Sequence, residues 1–262
     1  MVSDIERMNR KLRKKRIRQI IGFVFAFIIA VPVIIILLRT FLKTNSILIE
    51  NGTSYSSGNL LSSCSEYIGM TMLDFEQDTD MLFPPERFPY IDTADLSYVF
   101  PDKVLIRLTK AVPTISVETA EGKYIYLDSN KKVLEISEVK GSGTVLISGM
   151  NLKDVELGKV LNKTQNYEVS LIDSISDSLT EHSLYDRLTL MDFTKKYDIY
   201  FVLDNIIEVR IGNSEDIDRK IDMLVQILAR NPSGERAVIN VKNYKEADVY
   251  LGFVDRFSGT LI

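Results

Sequence analysis

Hydrophobic residues are arranged along this chain in three patterns. From Ile20 to Leu38 they form the run IIGFVFAFIIAVPVIIILL, nineteen residues without a charge. As a helix rising 1.5 Å per residue it spans about 28 Å, close to the ~30 Å hydrocarbon core of a bilayer. Between residues 46 and 110 the pattern becomes short and mixed. Ser46–Glu50 reads as a strand closed by Asn51-Gly52, a turn dipeptide able to take positive φ. Leu60, Leu61, Cys64 and Ile68 then recur at helical spacing behind a cap at Ser56 or Ser57, with Gly69 placed to stop the helix. A second helical stretch runs roughly from residue 74 to 83 and ends at Pro84-Pro85, because neither proline donates a hydrogen bond.

Strict alternation follows. Ala94, Leu96 and Tyr98 alternate with Asp95 and Ser97; Val104, Ile106 and Leu108 alternate with Lys103, Arg107 and Thr109. Pro101-Asp102 turns one strand into the other, which makes a hairpin. The predicted order is therefore β-α-α-β-β, in which two helices cover one face of a three-stranded sheet. Ala94, Leu96, Val104 and Ile106 should form the covered face.

The third pattern fills the remainder. A strand and turn run from Tyr124 to Asn130, and Gly141-Ser142-Gly143 reads as a flexible joint. Residues 164–179 predict a helix with Leu171, Ile172, Ile175 and Leu179 on one face. Strands are expected near 187–193, 197–203 and 206–211. After Gly212 a helix capped by Ser214, with Glu215 and Asp216 in its first turn, carries a stripe of Ile217, Ile221, Leu224, Val225 and Leu228. Ala237–Val241 and Asp248–Phe253 finish as strands. The expected class is α+β: one N-terminal transmembrane helix (20–42) behind a tail (1–19), a small β-α-α-β-β domain (43–117) and a β-rich domain with flanking helices (118–262).

Charge fixes the topology this pattern leaves open. Residues 1–18 hold eight basic and two acidic side chains, net +6, while the rest of the chain is net −10. A basic tail directly before a span places the N-terminus in the cytoplasm and the bulk outside. A cleaved signal peptide would need a shorter apolar run and an A-x-A-like site, whereas Arg39-Thr40-Phe41-Leu42-Lys43 follows here. The acidic bulk excludes a nucleic-acid-binding face.

Candidate chemistry is sparse. Cys64 is the one cysteine, so no intrachain disulfide can form, and its helical apolar setting reads as a small buried hydrophobe. His182 is the one histidine, in a polar stretch that reads as a solvated helix end. No HExxH, GxSxG, SxxK or P-loop pattern occurs, and no catalytic, metal or cofactor residue is assigned. The terminal strand is instead the candidate site. A last strand is often an edge, and an edge offers unpaired N–H and C=O groups to a partner strand. Tyr244, Val249, Tyr250, Leu251 and Phe253 are the candidate partner-binding residues.

The stretch from Phe88 to Leu108 resembles the FtsQ/DivIB cell-division family. The POTRA domain of that family carries P-x-I-x-x-A-x-V-x-x-x-x-P-x-x-[LV]-x-I, matched here by Pro89, Ile91, Ala94, Pro101, Val104 and Ile106, with Leu96 at the Val position. Leu146-Ile147-Ser148-Gly149 and Leu157-Gly158 resemble the family's I-x-G and later glycine; Gly212, Ile217, Lys220 and Ile221 resemble its G-x-x-x-x-[LI]-x-x-K-[LI] signature. Thr109-Lys110 departs from an acidic-basic pair common there. The resemblance implies a non-enzymatic, single-pass type II protein enriched at the division septum. It would bind FtsL-like and DivIC/FtsB-like coiled-coil membrane proteins and help recruit or regulate a septal peptidoglycan synthase of the penicillin-binding class. A POTRA-containing translocation or envelope-assembly factor is the alternative. That reading expects repeated units and a barrel, whereas this chain has one unit. An anchored cell-wall enzyme would need a nucleophile and base, and a sensor would need a cytoplasmic domain larger than about eighteen residues.

Overall fold

The computed structural model describes residues 19–37, 43–71, 79–161, 167–230 and 236–251. The basic tail, Leu38, residues 74–78 of the expected second helix, residues 164–166 and Phe253 lie outside the described residues. Helix α1, Gln19–Leu37, has mean hydropathy 3.2, and its length and composition fit a transmembrane anchor. Its apolar side chains are exposed, Phe23 at 79% and Phe27 at 70%, as a helix that meets lipid rather than a protein core requires.

The chain divides into two compact units. One takes residues 1–82 and 94–108; the other takes 83–93 and 109–262. The first unit is built on a three-stranded sheet in the order β1-β3-β2: β1 is Ser46–Asn51, β2 Ile91–Val99 and β3 Lys103–Lys110. β1 runs parallel to β3, with Ser46 opposite Lys103 and Asn51 opposite Leu108. Parallel neighbours need a crossover, and the helical segment between β1 and β2 supplies it. The Ser56 hydroxyl accepts from the Asn59 amide at 3.3 Å and caps α2, Ser57–Cys64. The α-helix then tightens into a 3-10 turn, Ser65–Tyr67, before Gly69 at φ +91°. Leu60 and Cys64 are fully buried, but Leu61 and Ile68, expected on the same stripe, are exposed. Leu61 follows the buried Leu60 directly and so stands about 100° round the helix from it, while Ile68 comes after the change from 3.6 to 3 residues per turn, which rotates it off the core. The second helix is described only as the single turn α3, Thr79–Leu82. Val104 and Ile106 are fully buried as the alternation required, while Ala94 and Leu96 are half-buried.

The described residues of the second unit include a nine-stranded mixed sheet. Its order is β12-β11-β10-β9-β8-β7-β4-β5-β6. The strands are β4 Ile115–Glu118, β5 Tyr124–Leu127, β6 Val133–Ser137, β7 Val145–Ser148, β8 Leu188–Asp192, β9 Ile199–Leu203, β10 Ile207–Gly212, β11 Ala237–Asn240 and β12 Asp248–Leu251. Helices join two of the three parallel pairs: α4, Tyr167–Glu181, lies between β7 and β8, and α5, Ile217–Arg230, between β10 and β11, while the parallel pair β4 and β7 is connected through β5 and β6. Both helices pack on one face. Leu171, Ile172, Ile175 and Leu179 of α4 and Ile217, Ile221 and Leu224 of α5 share a core with Ile147, Phe201, Val209 and Ile239 of the strands. Among the described residues the opposite-face cluster consists of the strand residues Leu146, Leu190 and Val202, against which Tyr124 and Tyr200 pack. β4 straddles the sequence boundary at 117/118 and pairs with β5 and β7 of this sheet. Gly141-Ser142-Gly143 lies between β6 and β7, within the same unit.

The start of α5 differs from the sequence reading. Asp216 has φ +51°, the helix begins at Ile217, and Asp216 O accepts from Lys220 N at 3.1 Å. Asp216 therefore stands at the cap position expected of Ser214, and Asp218 is the acid in the first turn. His182 also departs from a wholly solvated end: its Nε2 is 3.1 Å from Asp222 Oδ1, linking the end of α4 to α5.

Candidate partner-binding edge

Among the described residues, β12 pairs on one side only, with β11. The ladder is antiparallel, placing Leu251 opposite Ala237, Tyr250 opposite Val238, Val249 opposite Ile239 and Asp248 opposite Asn240. Its other side is the end of the sheet. This brings three of the sequence candidates, Val249, Tyr250 and Leu251, onto one backbone edge. Phe253 lies outside the described residues.

The edge rests on a braced corner. β10 shifts register between Arg210 and Gly212, and Gly212 takes φ +73°. A Cβ at Gly212 would come within 2.9 Å of Lys242 Cγ, so the close passage of the β11–β12 connection favours glycine twice over. Lys242 reaches from that connection to Asp198 Oδ1 at 2.6 Å, and this bond holds the Asp198 carboxyl below the usual carboxylate range. Asn243 Oδ1 accepts from Lys245 N at 3.3 Å and Asn243 O accepts from Glu246 N at 3.0 Å, folding the connection into a turn.

Tyr244 sits on this turn and is half-buried. Arg219 of α5 donates from Nη1 to its hydroxyl at 3.0 Å, and the guanidinium carbon lies 5.7 Å from the ring centre. The Lys245 ammonium is 5.9 Å from the same centre. Two cations, one from α5 and one from the turn itself, thus flank the ring. Arg219 and Lys245 were missed by sequence reasoning. Arg219 lies on the polar side of α5, where nothing in the local pattern separates a solvated arginine from one that holds a tyrosine twenty-five residues away.

The described residues contain no group of three or more His, Cys, Asp or Glu side chains able to hold a metal. A cleft of about 720 Å³ is lined by Val112–Thr114, residues 140–146, Tyr185, Asp186, Leu188, Thr189 and Asn205. Asp186 and Lys140 are its charged groups.

No protein-family model matches the chain. It is similar to the cell division protein DivIB of Clostridium botulinum strain Hall, with 22% identity over 232 residues covering 88% of this chain and 89% of that protein. DivIB of Clostridium botulinum strain Loch Maree matches over the same extent at 22%, and DivIB of Clostridium tetani at 23% over 141 residues, 53% of this chain and 52% of that protein. The similarity extends over 88% of the chain, and it bears out the resemblance to the FtsQ/DivIB family.

Proposed function

We propose that this chain, a relative of the DivIB cell-division proteins, is a bitopic scaffold that joins other division proteins in the membrane and does no chemistry of its own. α1 anchors it once, and the net +6 tail before the span supports an N-in, C-out orientation. The folded units then lie outside the cytoplasm, where septal peptidoglycan is made. The partners implied by the family resemblance are FtsL-like and DivIC/FtsB-like coiled-coil proteins and, through them, a septal synthase.

The observation that carries the reading is the one-sided pairing of β12. A partner segment adding a strand on the side of β12 that pairs with no described strand gains main-chain hydrogen bonds, and side chains beside the edge supply selectivity. Tyr244, fixed in place by Arg219, is a preorganised aromatic anchor beside that edge. Preorganisation lowers the ordering cost of binding, and such anchors carry a large share of interface energy.

The test uses the full chain in nanodiscs, titrated with the ectodomain of a DivIC-like partner. Tyr244→Ala and Val249→Ala should each weaken binding about tenfold, near 1.4 kcal/mol, with the circular dichroism spectrum unchanged. Wild-type affinity in both folded variants would move the interface off this edge. A reporter fused after Ile262, active only outside the cytoplasm, checks the orientation.

A further inference from the structure

The end of the first unit at which the chain arrives from the anchor is apolar. Thr44 N donates to Met70 O and Gly69 N to Thr44 O, each at 2.8 Å, and Lys43 bridges to Thr71. On the other side Asn45 N donates to Asp102 O at 2.8 Å, and Asn45 Nδ2 to Asp102 Oδ2 at 3.0 Å. Residues 68–71, 43–45 and the β2–β3 hairpin tip are therefore laced together at one end of the three-stranded sheet. That end exposes Ile68, Met70, Tyr98, Val99 and Phe100, with Phe100 at 73%. Lys43 and Lys103 are exposed among them. The far end of β1 is polar: the Asn51 side chain accepts from Thr53 N at 2.9 Å and donates to Tyr55 O at 2.7 Å.

The chain connects this apolar end to α1. Five residues separate Leu37 from Lys43. Six extended steps reach about 20 Å, so the end is tethered within that distance of where α1 leaves the hydrocarbon. A cluster of aromatic and aliphatic side chains flanked by lysines is the composition that settles at a headgroup boundary. Because the tether already confines the cluster beside lipid, a small patch suffices to hold it there.

We propose that this end of the unit docks on the bilayer, with Phe100 inserted at the level of the acyl–headgroup boundary and Lys43 and Lys103 facing lipid phosphates. The inference rests on reading α1 as a spanning helix. Docking fixes the tilt of the three-stranded sheet on the membrane, so the anchor and the folded unit move as one piece.

The chain has no tryptophan, so a single introduced indole reports its own surroundings. The full-length F100W, V99W, S57W and F27W variants are reconstituted into phosphatidylcholine–phosphatidylglycerol vesicles with and without dibrominated acyl chains. Ser57 is exposed at the start of α2, and Phe27 lies within α1. F27W quenching establishes the span. Quenching of F100W and V99W about threefold stronger than that of S57W is the expected result for a docked tip. If F27W is quenched while F100W and V99W match S57W, docking is overturned and the anchor stands. If F27W is unquenched, the span fails and docking fails with it.

Discussion

Lys220, at 2% exposure on α5, reaches back seven residues to Asn213 and donates to its carbonyl at 3.0 Å and its side-chain oxygen at 2.7 Å. The segment between β10 and α5 is closed by this one ammonium. Its burial pushes the lysine pKa below the ordinary 10.5. Lys220→Met should leave both Asn213 acceptors unmet and remove about 1–2 kcal/mol, the lost charged hydrogen bonds being offset in part by relief of the buried charge. Urea unfolding of the full chain in detergent measures it. The linkage has a definite sign. A lysine whose folded pKa is depressed binds fewer protons folded than unfolded, so wild-type stability rises relative to the Met variant as pH climbs from the depressed value to 10.5. A difference that shrinks over that window would contradict this assignment.

The same lysine marks how far the sequence could be read. Helix α5 was legible nearly residue by residue, because Ile217, Ile221 and Leu224 repeat at helical spacing and all three are buried. The signature position at Lys220 was legible as a motif but not as a buried group, since the pattern of apolar residues does not reveal a cation satisfied by its own preceding turn. Long-range order was illegible for a different reason. That β7 pairs with both β4 and β8 depends on contacts between distant segments, which local periodicity does not encode. Of the candidate edge, the strand and its terminal place were readable; the Arg219 contact that holds Tyr244 was not.

Ile106 tests the smaller unit. It is fully buried in β3, opposite Ile49 of β1. Ile106→Asp should remove about 3–5 kcal/mol by leaving a carboxylate buried without a partner, whereas Ile106→Val should cost about 1 kcal/mol as a deleted methylene. Thermal melting of the full chain in detergent separates the two; equal melting of Ile106→Asp and wild type would show that this face is not a core.

Gly149 and Gly143 form a matched pair. Both lie in the left-handed region, at φ +79° and +82°. A Cβ at Gly149 would overlap the Thr194 backbone, while one at Gly143 meets open space. Gly143→Ala should therefore cost only the left-handed strain, about 1 kcal/mol, and Gly149→Ala distinctly more than ~2 kcal/mol because backbone must also move. Chemical denaturation of the two variants decides it. Equal losses would mean that conformation alone, not the close approach to Thr194, requires glycine at 149.

Cys64 gives a prediction read by chemistry. The thiol is fully buried at the end of α2, and burial raises its pKa from 9.0 to about 11. The nucleophile is the thiolate, so the native protein should resist iodoacetamide at pH 8 and react only on unfolding. A group whose folded pKa is raised contributes stability that is present below its unfolded value and lost as pH rises through its folded value. Stability of the first unit should then fall between pH 9 and about 11 through this thiol, and Cys64→Ala should flatten that part of the profile while costing a constant amount for the sulfur's lost packing. Rapid labelling of the folded chain at pH 8, at the rate of the unfolded chain, would show that Cys64 is open to solvent and that α2 does not cover it.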